Sequence, residues 1–418
     1  MSDGKQLKTI SDYSLTDKKV IIRCDLNVPI KKGVIEDDNR IVESLETIKY
    51  AINNGAKVII LAHLGRVVNE EDKAKNSLLP VSQRLSELLE MPVTFVPETR
   101  GIEVETAINM MNSGDVVLLE NTRFEDINGK KESNNDPELS AYWASLGDIY
   151  INDAFGAIHR AHASTAGISE YLPSGIGFLV QKELKVLSEV MNNPERPFMV
   201  IMGGAKLKEK LGVIENLLKI ADRIFIGGGM CYTFFKAKGF NIGKSLVEDE
   251  YIDKCKELLE KYSDTIILPV DVMVRSEVDG NEYVRNVKVR EIKDWEEGLD
   301  IGLITRAILM IPCKKSKTVI WNGPLGMCEK EEFSGGTKDT LSHLKESDAK
   351  VILGGGNIVA EATKFGYKDA FYHISTGGGA TLEFMEGKEL PGLTAIENSN
   401  NKEFPNKNQV KSLTPNNN

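Results

Sequence analysis

In the first half of this chain, basic residues fall just past apolar runs: His63-Leu64-Gly65-Arg66, Asn121-Thr122-Arg123 and Asp153–Arg160. Asp25 and Asn27 follow the first such run, and Arg40 comes shortly after them. Arginine matches carboxylate and phosphate through its two-pronged guanidinium. Taken singly, each of these residues reads as a surface or ion-paired group. Gathered at one edge of a parallel sheet, Arg40, His63, Arg66, Arg123 and Arg160 suit a small phosphorylated acid. His159 and His162 flank the set, either as part of it or as hydrogen-bonded structural histidines.

The second half carries glycine runs instead: Gly203-Gly204, Gly227-Gly228-Gly229, Gly354-Gly355-Gly356 and Gly377-Gly378-Gly379. Glycines between a strand and a helix leave backbone N–H groups bare, and a helix N-terminus attracts negative charge. Several such loops in one domain favour a nucleotide. Lys206 and Lys210 follow the first of them at a spacing that puts both on one face of a helix, with Lys208 turned to solvent. Two anion sites on separate halves imply transfer between them.

Two phosphate motifs nearly match and fail. Gly239-Phe240-Asn241-Ile242-Gly243-Lys244-Ser245 is one residue short of a Walker A loop and reads better as a helix cap and turn. Gly175-Ile176-Gly177 opens like a dinucleotide fingerprint, but Val180 stands at the third glycine position, and the first strand ends without a glycine. A nicotinamide dehydrogenase is therefore disfavoured.

These groups need a scaffold, and the apolar pattern supplies one. Strands are expected at Val20–Cys24, Val58–Ala62, Val93–Val96, Val116–Leu119 and Ile149–Asn152, then at Phe198–Met202, Ile224–Ile226, Ile266–Pro269, Thr318–Trp321, Val351–Leu353 and Ala370–Ile374. Amphipathic stretches between them read as helices, among them Ile41–Asn54, Leu79–Leu89, Lys206–Ile220 and Ile301–Ile311. Continuous Val/Ile/Leu runs mean strands buried on both faces, hence parallel sheets covered by helices. The expected class is α/β, with two doubly wound, Rossmann-like domains joined by a helix and a hinge-bending cleft. The expected division is 1–180, a connecting helix over 181–194, 195–389, a returning segment over 390–397, and a disordered asparagine-rich tail over 398–418.

The 418 residues carry a net charge of −10, which disfavours nucleic-acid and membrane-surface partners. Five cysteines without a C-x-x-C pair read as reduced thiols of a cytoplasmic protein. The N-terminus has no signal-peptide pattern, and no apolar run approaches the roughly 18 residues of a membrane span.

The ordered motifs Arg23–Pro29, His63–Arg66, Glu120–Phe124, Asp153–His162, Gly203–Lys206, Trp321–Pro324 and Ser375–Gly379 make the chain resemble the phosphoglycerate kinase family over about residues 5–397. The resemblance implies a common monomer that closes its two domains to move a phosphoryl group between 1,3-bisphosphoglycerate and ADP, giving 3-phosphoglycerate and ATP. It makes Asp25, Asn27, Arg40, His63, Arg66, Arg123 and Arg160 the 3-phosphoglycerate site. It assigns Lys206, Lys210, Gly298, Asn322, Glu329, Gly354, Gly355, Gly356 and Asn357 to the nucleotide site. Arg40 and Lys206 become the catalytic candidates, Arg40 as stabiliser of charge on the transferring group. Leu390–Ile396 corresponds to the family's last strand segment, which packs back on the first domain.

One departure touches the chemistry. The family usually reads Gly-Gly-Gly-Asp-Thr at the last nucleotide loop, where the aspartate helps hold Mg²⁺. This chain reads Gly354-Gly355-Gly356-Asn357-Ile358, so Asn357 offers the metal only a neutral oxygen. Milder departures are Val67 for a proline and Ala157-Ile158 for Thr-Ala. A second reading follows: a paralogue with an impaired Mg-nucleotide site that serves as a ligand-binding or regulatory protein.

Overall fold

The computed structural model describes residues 7–400, 402–405 and 407–413. Contacts divide the chain into two compact units. One is built from the chain up to Lys185 together with the segment from Glu389 on; the other is Val186–Lys388. The helix Phe178–Asn192 runs from the first into the second.

The first unit is laid on β1 (Lys19–Cys24), a small hairpin of β2 (Ile30–Lys31) and β3 (Val34–Ile35), then β4 (Lys57–Leu61), β5 (Val93–Val96), β6 (Val116–Leu119), β7 (Ile149–Asp153) and β8 (Ser174–Ile176). Six of these form a parallel sheet in the order β5-β6-β4-β1-β7-β8. Val20, Ile22, Val58 and Ile60 pack on one face of it, while Ile21, Ile59 and Leu61 pack on the other. That alternation explains the unbroken apolar runs, since both sides of every central strand are covered. The helix Asn39–Asn53 buries Ile41, Ser44, Thr47, Ile48 and Ala51, a stripe at helical spacing.

The second unit uses β9 (Phe198–Met202), β10 (Arg223–Ile226), β11 (Ile266–Ile267), β12 (Asp271–Val278), β13 (Asn281–Lys288), β14 (Glu297–Ile301), β15 (Thr318–Asn322), β16 (Lys350–Gly354) and β17 (His373–Ile374). Its parallel sheet runs β11-β10-β9-β15-β16-β17. A second, antiparallel sheet, β13-β12-β14, is absent from the sequence reading. β13 is exposed along nearly its whole length, so no apolar alternation marked it. The cue was Asp279-Gly280: both take positive φ (51° and 76°), as a two-residue hairpin turn requires.

In each parallel sheet the strand order reverses beside the first strand, between β1 and β7 and between β9 and β15. Ligands of open α/β sheets sit at the carboxyl ends of strands at such reversals. The functional motifs lie there.

The strands expected over Ile266–Pro269 and Ala370–Ile374 are shorter, Ile266–Ile267 and His373–Ile374, and three other stretches differ more. The helix expected over Lys206–Ile220 is only Leu211–Leu217. The segment expected as a strand over Leu390–Ile396 belongs to a helix, Pro391–Ser399, started by Pro391 at its first position. Its Gly392 N–H donates to the Ile158 carbonyl at 2.9 Å, and Ile396 is buried. Inside the tail expected to be disordered over 398–418, Lys407–Ser412 form a helix. One apolar residue, Val410, is buried in the cluster that holds Leu139 and Tyr142, which suffices to seat a short polar segment. Residues 401, 406 and 414–418 of that tail lie outside the described residues.

The connecting helix is fastened at its start. Asp153, at the end of β7, accepts hydrogen bonds from the N–H groups of Leu179 (3.0 Å) and Val180 (3.3 Å). Burial pushes its carboxyl up to about 7. All five cysteines are free thiols in the interior. No helix among the described residues is long and apolar enough to cross a membrane.

Candidate functional site

The end of β1 organises the basic cluster of the first unit. β1 pairs Arg23 with Leu61 of β4 and with Asn152 of β7, so the loops after three strands emerge side by side. Arg23 is itself buried. It donates to the Cys24 carbonyl (2.6 Å), to Ser164 Oγ (2.8 Å) and to Nδ1 of His63 (3.0 Å). Ser164 in turn donates to the fully buried Glu132 carboxylate. Asp25, also buried, takes Arg40 Nη1 at 2.6 Å. Arg40 lies in the first turn of Asn39–Asn53, because the helix begins two residues before the expected Ile41. A cation there opposes the helix dipole, and Asp25 offsets it. Asn27 Oδ1 accepts the Gly65 N–H at 2.8 Å, tying the first loop to the histidine loop.

Glu120 and Asn121 fix the third loop. Glu120 accepts the N–H groups of Leu78 (2.8 Å) and Asn121 (2.7 Å). Asn121 Nδ2 reaches the carbonyls of Leu64 (2.7 Å) and Asn76 (2.8 Å), while its Oδ1 takes the Arg123 N–H at 3.0 Å. Arg123 is thereby placed beside the histidine loop.

The electrostatics of this cluster are one-sided. Burial, then the charges of Arg23, Arg123 and Arg40, hold His63 well below the usual imidazole range. Burial and then Arg23, Arg123 and Arg160 lower His162 to about 3. Arg123 is lowered by burial and then by Arg160. Its buried Nε has no hydrogen-bond partner among the described residues. Neutral His63 must accept Arg23 at Nδ1, which leaves Nε2–H as a donor. Four arginines thus face Asp25, Asp126 and Glu132, and positive potential wins at the two histidines. An anion would relieve it. Arg160 and Arg66 are exposed; Arg66 stays on the outer part of its loop, outside the charges that dominate His63.

Arg23, His162 and Glu132 do more here than the sequence reading gave them. Arg23 and His162 sat inside recognised motifs, so their signal was present. Glu132 had none: it lies in a polar stretch, Lys130–Asn135, that reads as surface loop.

In the second unit the residues meet at the reversal between β9 and β15. Gly203 N–H donates to the Asn322 carbonyl at 2.8 Å. Lys210 Nζ donates to the Gly203 carbonyl at 2.5 Å and to that of Asn322 at 3.4 Å. Asn322 Nδ2 reaches the Gly354 carbonyl at 2.6 Å. Gly354, Gly355 and Gly356 lead into the helix Gly356–Lys364, and Gly355 has φ +99°. Gly298 lies in β14, its N–H on Ser245 Oγ at 2.9 Å. Glu329 is exposed in the turn beyond β15.

Lys206 and Lys210 do not share a helix face. Glu248 accepts the N–H groups of Leu207 and Lys208, and so holds residues 205–210 as a turn ahead of the helix. Lys206 is left in solvent beside Glu209 at 3.2 Å, whereas Lys210 turns inward. Burial lowers the Lys210 ammonium to about 8. The Walker-like stretch is no cradle: Gly239, at φ +79°, closes the helix Cys231–Ala237. Asn357 is exposed in the first turn of Gly356–Lys364, while Ile358 is fully buried in the apolar cluster with Trp321 and Leu353. Among the described residues no group of three or more His, Cys, Asp or Glu could hold a metal ion.

The Gly203 seam has no slack. A Cβ there would collide with the carbonyl oxygens of Gly323 and Pro324, both backbone atoms. Gly203→Ala is expected to cost about 3 kcal/mol of stability through overpacking. A urea midpoint unchanged from the wild type would contradict it.

The family model described as phosphoglycerate kinase matches residues 10–388. The phosphoglycerate kinase of Enterococcus faecalis is 55% identical over 391 residues, covering 93% of this chain and 98% of that protein. The chain belongs to the phosphoglycerate kinase family. The phosphoglycerate kinase structure from Coxiella burnetii has a TM-score of 0.82 at 38% identity, covering 94% of this chain and 99% of that one. That from Pyrococcus horikoshii has the same TM-score at 32% identity, covering 94% of this chain and all of that one. Two parallel sheets with reversals beside the first strand are thus what a phosphoglycerate kinase has here. The chemistry follows from membership: phosphoryl transfer between an acyl phosphate and a nucleotide.

Proposed function

We propose that the cationic cluster of the first unit binds 3-phosphoglycerate or 1,3-bisphosphoglycerate, and that the glycine-rich reversal of the second binds ADP or ATP. The reaction is the reversible transfer of a phosphoryl group from 1,3-bisphosphoglycerate to ADP. One observation carries the assignment of the acid: Arg23, Arg40, Arg123 and Arg160 gather about His63 and His162, with the buried Arg123 Nε left without a hydrogen-bond partner among the described residues, and burial and then these charges keep both imidazoles neutral. Asp25, Asn27, Arg40, His63, Arg66, Arg123 and Arg160 serve the acid. Lys206, Lys210, Gly298, Asn322, Glu329, Gly354, Gly355, Gly356 and Asn357 serve the nucleotide. Domains divide accordingly, at the helix Phe178–Asn192.

Phosphoryl transfer asks the protein chiefly for in-line placement and charge neutralisation, not for a nucleophile. Arg40, held by Asp25, is placed to share the negative charge of the transferring group. Lys206 is exposed and free to reach toward bound phosphate. Backbone N–H groups at Gly355 and Gly356 present a helix N-terminus to the phosphates. Exclusion of water from the bound acyl phosphate would suppress its hydrolysis.

The residues fit a Mg²⁺ that arrives on the nucleotide, since Asn357 offers one exposed oxygen ligand at the start of the helix Gly356–Lys364. When bound, the ion would neutralise phosphate charge. We further take the chain to be a cytoplasmic monomer; five free, buried thiols are compatible with a reducing compartment.

The test is ATP formation from 1,3-bisphosphoglycerate and MgADP, followed over a Mg²⁺ titration for the wild type and Asn357→Asp. Wild-type turnover is expected, and the variant should reach half-maximal rate at about tenfold lower Mg²⁺, in line with ~1–3 kcal/mol for a charged ligand contact. No turnover would sink the reading; coincident midpoints would sink the role of Asn357. Ile358 is left untouched because it faces the apolar interior, where threonine would bury an unpartnered hydroxyl.

A further inference from the structure

The second unit has a cavity of about 650 Å³ away from the glycine loops, framed by the helices Cys231–Ala237 and Ile252–Lys261, β11 and the end of β13. Its floor is apolar: Phe235, Leu268 and Val289. Its rim carries Lys238, Lys288 and Arg290 against a single carboxylate, Glu291, whose charge also acts on Arg285. None of the three rim cations is ion-paired among the described residues. Two of them instead lie over the ring of Phe240: Arg290 at 5.0 Å and Lys238 at 5.8 Å from its centroid. Phe240 belongs to the Walker-like stretch, which forms no phosphate cradle. That stretch divides its duties, with Ser245 fastening Gly298 and Phe240 lining the cavity.

We propose that this cavity is a second binding site, distinct from the nucleotide site, for a small amphipathic anion: an aromatic body bearing a carboxylate or sulfonate. The volume suits one such molecule, since small-molecule sites span roughly 300–1,000 Å³. The apolar floor receives the ring. The rim cations, two of them already over the Phe240 ring, receive the head group. On a protein of net charge −10, a local excess of three cations over one carboxylate focuses anions there.

Titration of the full chain with 8-anilino-1-naphthalenesulfonate tests this by fluorescence. One saturable site is expected that persists under saturating MgATP. The double variant Lys238→Glu, Arg290→Glu should bind the probe at least tenfold more weakly while its phosphoryl-transfer rate stays that of the wild type, which also shows that it folds. The uncharged analogue 1-anilinonaphthalene should bind at least tenfold more weakly to the wild type. Displacement of the probe by MgATP, equal binding by the double variant, or equal binding of the uncharged analogue would each overturn the proposal.

Discussion

Arg40→Ala is expected to lower kcat by about two to three orders of magnitude, with a smaller rise in KM for 3-phosphoglycerate. The guanidinium is fixed by a 2.6 Å contact to a buried Asp25, yet about a third of it stays exposed and available to a ligand. A pre-oriented cation loses little on meeting charge that develops in the transition state, which is why the effect should fall on kcat. Arg40→Lys keeps the charge but loses the planar fork, so it should recover only part of the rate. A normal kcat with raised KM in Arg40→Ala would make this residue an anchor for the ground state alone.

Lys210 gives the second large effect, and its sign can be worked out. Its ammonium is lowered to about 8 by burial, against an ordinary value of 10.5. Between those values the unfolded chain holds more protons than the folded one, so this lysine makes stability rise with pH across that window. A bound phosphate favours the ammonium and raises its value again. Nucleotide binding should therefore take up about half a proton at pH 8 and close to one near pH 9, and affinity should fall up to tenfold per pH unit above 8. Calorimetry in buffers of different ionisation enthalpy measures the uptake directly. Lys210→Met should remove the slope and weaken ATP by about 10–100-fold at pH 7, the loss of a ~1.5–3 kcal/mol charged contact. A wild type with no proton uptake would place this lysine outside the phosphate site.

These two residues mark what the sequence discloses and what it hides. The strands were readable because Val20–Cys24, Val116–Leu119 and Phe198–Met202 are buried on both faces, and burial leaves unbroken apolar runs. Motif order was enough to name the family. The divergence of Lys206 from Lys210 was not readable. It depends on Glu248, some forty residues on, taking the two N–H groups that would otherwise have begun a helix. Glu132 was hidden for the same reason, because its partner Ser164, and Arg23 that donates to Ser164, come from remote stretches. β13 escaped because one exposed, strongly polar strand has no periodic signature. Spacing reports neighbours along the chain; a carboxylate that reshapes a loop from afar leaves no spacing to read.

The buried thiols carry a practical consequence. Burial raises every one of them, Cys328 to about 11 and Cys255 and Cys313 to about 12, with Cys24 and Cys231 also raised. Alkylation and peroxide oxidation run through the thiolate, which is scarce at neutral pH and shielded here. The native molecule is therefore expected to react little with maleimides. A single cysteine placed on the surface can then carry a fluorophore without prior removal of the native five.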